Sequence, residues 1–129
     1  MVFFVKKGFD FFVITAYRFM LNQSNYLKIK VTVPVDSADK VRQALGEAGA
    51  GKLGNYDFCS FSYPVKGRFR PLEGANPAIG KVGDLEEVKE ECIECICHKN
   101  ILTEAISALK KAHPYEEPAI DIIPRYEIE

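Results

Sequence analysis

The chain has 129 residues, a hydrophobic fraction of 47%, a charged fraction of 27% and a net charge of −1. This length suits one domain, whose core can form without disulfides or a structural metal. The nearly balanced charge excludes a general electrostatic attraction to nucleic acid or to an anionic membrane, so we expect neither as a partner.

The first 25 residues differ from the rest of the chain because they hold six of the nine phenylalanines and carry a charge of +2. Asp10 interrupts the apolar centre that a signal peptide needs. The apolar run 9–20 is shorter than the about 20 residues of a transmembrane helix. We predict an N-terminal extension over 1–25, either an added helix or strand or the product of an upstream start codon, with Met20 as an alternative start.

Residues 26–129 predict one α+β domain that begins with a strand. Apolar and polar residues alternate from Tyr26 to Pro34, as in a strand with one face in the core. Helical spacing follows over 37–48, with Asp36 as the predicted N-cap and Gly49 as the C-cap.

The second half of the chain predicts a strand and a long loop, followed by a strand, a helix and a last strand. Aromatic residues predict a strand over 56–63, and the prolines and glycines of 64–83 predict a long loop. A strand over 88–97, a helix over 101–112 and a strand over 119–126 complete the chain. Pro124 places that last strand at a sheet edge.

The order strand, helix, strand, strand, helix, strand is typical of the ferredoxin-like βαββαβ fold. It predicts an antiparallel four-stranded sheet in the order 4-1-3-2, with both helices on one face.

Three of the four cysteines fall in one predicted strand, where alternation puts Cys95 and Cys97 on one face and Cys92 on the other. Such neighbours do not pair readily, so we predict no disulfide framework and a cytoplasmic location. Core packing is the expected role of Cys95 and Cys97. A copper(I) site formed with Cys59 is the alternative.

Chain connectivity predicts that the loop residues 68–77 and the turn 113–118 meet at one end of the sheet. The arginines could hold an anion, and the histidine and glutamates could bind a divalent metal or exchange protons. Simple pairing of these charges with each other is the alternative. The predicted ligand-binding residues are Arg68, Arg70, Glu73, Asn76, His113, Tyr115, Glu116 and Glu117, of which His113, Glu116 and Glu117 are the predicted metal ligands.

Signatures of nucleotide-binding loops and serine hydrolases are absent from the sequence, and two histidines leave little for a dinuclear metal centre. We identify no catalytic residue and expect a binding module more readily than an enzyme.

Four stretches resemble one family: 49–56 (GAGKLGNY), 69–77 (FRPLEGANP), 79–83 (IGKVG) and 113–119 (HPYEEPA). They are similar to the domain inserted in the middle of YqfO-type members of the NIF-three-like family. The resemblance implies a fold shared with the CutA and PII proteins, which often form trimers, carry regulation on the loop between strands two and three, and in CutA are associated with divalent metals.

The resemblance covers residues 26–126 and does not extend to the flanking halves that hold the family's dinuclear metal site. The family's hydrolase or cyclohydrolase activity therefore does not transfer with it. We predict a small ligand-binding or regulatory module that forms a dimer or trimer or binds another protein, with a divalent metal as the candidate cofactor. A metal-dependent hydrolase-like enzyme and a purely structural assembly domain are the alternatives.

Overall fold

The computed structural model describes residues 21–128, so the prediction for residues 1–20 lies outside the described part of the chain. Its elements, in chain order, are β1 (Leu21–Pro34), α1 (Ala38–Glu47), β2 (Phe61–Phe69), β3 (Glu86–His98), α2 (Leu102–Ala112) and β4 (Ile120–Ile128). Short 3-10 turns, Val35–Ser37 and Lys99–Ile101, lead into the two helices.

The four strands form one antiparallel sheet in the order β2-β3-β1-β4. This is the predicted order 4-1-3-2 read from the other edge, and the ferredoxin-like prediction is confirmed. Pro124 lies in β4, which is an edge strand as predicted. The two central strands, β1 and β3, carry the core.

The core lies between the sheet and the two helices. Alternation along β1 points Ile29, Val31 and Val33 towards the helices, and all three are buried. They pack in one cluster with Ile93 of β3 and with Leu109 of α2. Because both helices contribute to this cluster, they cover the same face of the sheet and leave the other face without a helix.

The cysteines follow the predicted alternation and act as apolar core residues. Cys95 and Cys97 are buried in the helix-side cluster, and Cys92 is buried on the other face. Burial raises the pKa of the Cys95 thiol to about 12 and also raises the pKa of Cys97. All four cysteines are free thiols.

Two boundaries near β1 differ from prediction. β1 starts at Leu21 because residues 21–23 pair with the end of β4, beyond a register shift between Gln23 and Leu27. The predicted Asp36 N-cap is wrong: Asp36 lies in the 3-10 turn, and the N-cap is Ser37, whose side chain makes no capping hydrogen bond. The predicted C-cap is off by one residue: the C-cap of α1 is Ala48, and Gly49 follows it with a φ of +98°.

The predicted bounds of the second strand were wrong. β2 runs over Phe61–Phe69 rather than 56–63, and the following loop covers 70–85 rather than 64–83. Pro64 and Gly67 suggested a loop, but β2 pairs with β3 alone and forms the sheet edge, where a residue without an N–H donor is tolerated. Gly67 has a separate role that is described below.

Neither α1 nor α2, the helices of the described range, is long and apolar enough to cross a membrane.

The burial pattern predicts a large difference between two isoleucine truncations. Ile93→Ala removes a fully buried side chain and should lower the free energy of unfolding by about 2–5 kcal/mol. Ile123→Ala, at a position that is 41% exposed, is the matched control and should cost much less. Urea unfolding measures both, and equal losses would contradict the assignment of the core.

Candidate functional site

A cleft of about 380 Å³ opens at one end of the sheet, between the loop 70–85 and the segment 113–119. Its floor comes from strand residues on the face that the helices leave uncovered, and its walls are largely apolar. The lining residues are Thr32, Gly67, Arg68, Phe69, Pro71, Ala75, Pro77, Ala78, Ile79, Glu90, Tyr115, Glu116, Glu117 and Ala119. Its size lies in the range of small-molecule sites.

Two contacts join the end of β2 and the loop 70–85 to the segment that follows α2. The rings of Phe69 and Tyr115 meet edge to face with centroids 5.8 Å apart. The backbone N–H of Asn76 donates to Glu116 Oε2 at 3.2 Å. The structure therefore brings together the two segments that the topology predicted to share one end.

The loop itself is closed at its base, where the backbone N–H of Gly83 donates to the carbonyl of Pro71 at 2.8 Å. Pro71, at the start of the loop, is buried and lines the cleft. The base of the loop is thus tied together, and the apolar residues between 75 and 79 are placed along one wall.

The floor of the cleft holds a buried carboxylate, Glu90, whose residue is only 4% exposed. Glu90 pairs with Val65 across the β2–β3 ladder, so its side chain lies beside Gly67 on the same face. A Cβ atom at position 67 would lie 1.8 Å from Glu90 Oε1. Only glycine at this position leaves room for the carboxylate where it lies.

Glu90 Oε2 and the Tyr115 hydroxyl are both buried and have no hydrogen-bond partner within residues 21–128. No lysine or arginine of that range forms a salt bridge with Glu90. Burial, then a long side-chain hydrogen bond with the Glu90 carboxyl group and the charge of that group, raise the pKa of Tyr115. A buried polar group without a partner costs roughly 1–3 kcal/mol, and more when it is charged. The cleft therefore contains two polar atoms that a ligand could satisfy.

His113 lies behind the cleft rather than in it. The residue is 6% exposed, and its Nδ1 accepts from the backbone N–H of Tyr115 at 3.0 Å. Nδ1 is then unprotonated, so Nε2 carries the proton and donates to the carbonyl of Thr32 at 2.8 Å. In this arrangement neither ring nitrogen has a lone pair free for a metal ion.

The other predicted residues divide between the rim and the solvent. Arg68 lines the cleft but pairs with Glu87 at 3.4 Å, and 66% of its side chain is exposed. Arg70 and Glu73 are exposed and do not line the cleft. Glu116 and Glu117 stand at the rim.

The predicted metal ligands do not converge. Among the residues that the structure describes, no three His, Cys, Asp or Glu side chains are grouped so as to hold a metal ion. This includes the histidine and glutamates of 113–117 and the three cysteines of the copper alternative.

Sequence reasoning missed Thr32, Gly67 and Glu90. Glu90 is one of five glutamates within 86–94, and the others give no pattern that separates it from a solvent-exposed charge. The one available signal was Gly67, because a glycine inside a strand often marks a close approach by another group.

Comparison with known proteins gives relatives that are roughly three times as long as this chain. The GTP cyclohydrolase 1 type 2 homolog of Halalkalibacterium halodurans is 50% identical over 97 residues, which are 75% of this chain and 26% of that protein. The crystal structure of a Bacillus cereus protein related to NIF3 is 43% identical with a TM-score of 0.68, over 81% of this chain and 26% of that one. The chain therefore carries a domain of the NIF3-like family.

This NIF3-like domain also shares its fold with smaller proteins. The divalent cation tolerance protein CutA of Archaeoglobus fulgidus matches with a TM-score of 0.55 and 23% identity, over 78% of this chain and 83% of that one. At this identity the likeness concerns the fold alone. No protein-family model matches the sequence. The predicted family and the predicted CutA-like fold are confirmed, and the chain spans about a quarter of its NIF3-related relatives.

The two hydrogen bonds of His113 predict a structural rather than a ligand-contacting role. His113→Ala leaves a partly buried carbonyl and a partly buried N–H without partners and should lower the free energy of unfolding by about 1–3 kcal/mol. Arg70→Ala, at an exposed position of the same end, should change it by less than about 0.5 kcal/mol. Equal effects in urea unfolding would show that the His113 contacts do not hold the turn.

Proposed function

We propose that this NIF3-like domain is a small ligand-binding or regulatory module whose ligand occupies the cleft between the loop 70–85 and the segment 113–119. The observation that carries the proposal is the pair of buried polar atoms without a close partner, Glu90 Oε2 and the Tyr115 hydroxyl, in a cleft whose walls are largely apolar. Small-molecule sites commonly combine apolar walls with a few polar groups of this kind.

The position of the cleft also supports a regulatory use. One wall is a loop of 16 residues that connects two strands, and such loops are usually functional when they occur in a compact domain. The other wall follows α2 and reaches the loop through the Phe69–Tyr115 and Asn76–Glu116 contacts. A ligand between the two walls would hold them together, and this would change the surface that the loop offers to a partner.

A second copy of the chain is the partner that the fold favours. β2 and β4 are the sheet edges, each with one strand neighbour within the described sheet, and unpaired edges invite association. Several apolar side chains of β4 are exposed, among them Ile122, Ile123, Tyr126 and Ile128. We propose a homo-oligomer, and we assign it no catalytic step.

The test is a titration of the ¹⁵N-labelled 129-residue chain with five probes of different chemistry. The probes are benzamidine, benzoate, inorganic phosphate, Mg²⁺ and Zn²⁺, each at millimolar concentration, where weak fragment binding becomes visible. We expect at least one probe to give saturable shifts of the amides of Gly67, Ala75 and Ala119, while amides of α1 stay unchanged.

Ala119→Trp is the matched variant because residue 119 is exposed and lines the cleft. The larger side chain should abolish the shifts without unfolding the domain. Saturable binding that survives Ala119→Trp, or the failure of every probe to shift cleft amides, would contradict the proposal. The first result would place the ligand outside the cleft, and the second would favour a domain that serves assembly alone.

A further inference from the structure

We propose that the cleft selects small ligands that carry a cationic nitrogen donor, such as an amidinium or a protonated amine, on an apolar body. Glu90 would accept the hydrogen bond from that nitrogen. This inference rests on the proposed function and adds the chemical class of the ligand and the residue that recognises it.

The first step of the argument is the charge of the site. Only 4% of the surface of Glu90 is exposed, and no lysine or arginine among residues 21–128 forms a salt bridge with it. Lys66 and Arg68, the basic residues of the neighbouring strand, both pair with Glu87 instead. A buried carboxylate is stabilised by hydrogen-bond donors and most strongly by a partner of opposite charge with good geometry, which a ligand cation can supply.

The second step is the way in which the chain places this charge. Gly67 keeps a niche open in which the Glu90 carboxylate lies, with Oε1 against the glycine. Oε2 is the atom that has no partner, and Glu90 is one of the residues that line the cleft. The carboxylate is therefore presented to the cleft instead of reaching solvent.

The third step concerns the rest of the ligand. Much of the wall surface is apolar and comes from Phe69, Pro71, Ala75, Pro77 and Ile79, while the charged side chains Arg68, Glu116 and Glu117 also line the cleft. An apolar body would be desolvated there at little cost, while the Tyr115 hydroxyl offers one further polar contact beside Glu90. The volume of about 380 Å³ accommodates a ring with a short substituent.

The same features argue against an anion and against a bare metal ion. A buried carboxylate repels an anion, and the nearest guanidinium, that of Arg68, is already paired with Glu87. A divalent cation such as Ca²⁺ needs six or more oxygen ligands, whereas the described residues provide no cluster of three metal-ligating side chains.

The test compares the dissociation constant of benzamidine for the full chain and for three variants. Glu90→Gln keeps the shape of the side chain but removes its charge, and we expect binding to weaken at least about tenfold. Gly67→Ala should weaken binding similarly, because the added methyl group displaces the end of a flexible side chain rather than backbone. Glu104→Gln makes the same charge change on α2, away from the cleft, and should leave binding unchanged.

The melting temperature distinguishes a carboxylate that binds a ligand from one that only stabilises the fold. Removing an uncompensated buried charge should leave the melting temperature of Glu90→Gln equal to or above that of the wild type. A clear drop would show that the carboxylate holds the fold, and it would overturn the inference.

The result also separates this inference from the proposed function. Benzoate that binds in the cleft more tightly than benzamidine, or benzamidine that binds Glu90→Gln as tightly as the wild type, would overturn the ligand class but leave a functional cleft. Failure of every probe to reach the cleft would overturn both.

Discussion

The close approach between Gly67 and Glu90 is the constraint on which the site depends. In an edge strand a glycine weakens packing and adds nothing to the core, so its presence in β2 needs a local reason. That reason is steric: any side chain at this position would collide with the Glu90 carboxylate. The glycine thus converts one glutamate of a charged strand from a solvent-exposed group into a buried acceptor on the floor of a cleft.

The second wall of the cleft depends on His113 and connects the core to the site. Its ring ties the carbonyl of Thr32 in β1 to the backbone of Tyr115, and this places the Tyr115 ring against Phe69 at the end of β2. The helix α2 ends at Ala112, and Leu109 anchors that helix in the core. Packing of α2 on the sheet therefore sets the position of the segment 113–117, while the hydrogen bonds of His113 set its direction. His113, which the sequence suggested as a metal ligand, instead holds the segment 113–117 against β1 through these hydrogen bonds.

The fold could be predicted well because its signals are local and periodic. Alternation in β1 and β3, helical spacing in α1 and α2, and Pro124 at the edge each indicated the correct element, and the order of elements then favoured one topology. The prediction failed at β2, where Pro64 and Gly67 are loop-forming residues in most contexts. Their place in an edge strand follows from the register with β3, which is a nonlocal property that no local pattern reveals.

The sequence predicted where the site lies but not which residues form it. Connectivity was enough to bring 68–77 and 113–117 to one end, but it could not separate His113, which faces inward, from Tyr115, which reaches the cleft. It also could not identify Glu90, since the burial of that residue depends on the β2 register, on the niche at Gly67 and on the loop folding over the sheet. The charges that stand out in the sequence, Arg70 and Glu73, lie in solvent.

The most direct test of the account is a crystal structure of the chain grown with benzamidine. The account predicts the amidinium in the cleft, with a nitrogen about 2.7–2.9 Å from Glu90 Oε2 and the carboxylate seated against Gly67. A structure in which the Glu90 side chain leaves the cleft and pairs with a surface lysine, while benzamidine lies elsewhere, would contradict it.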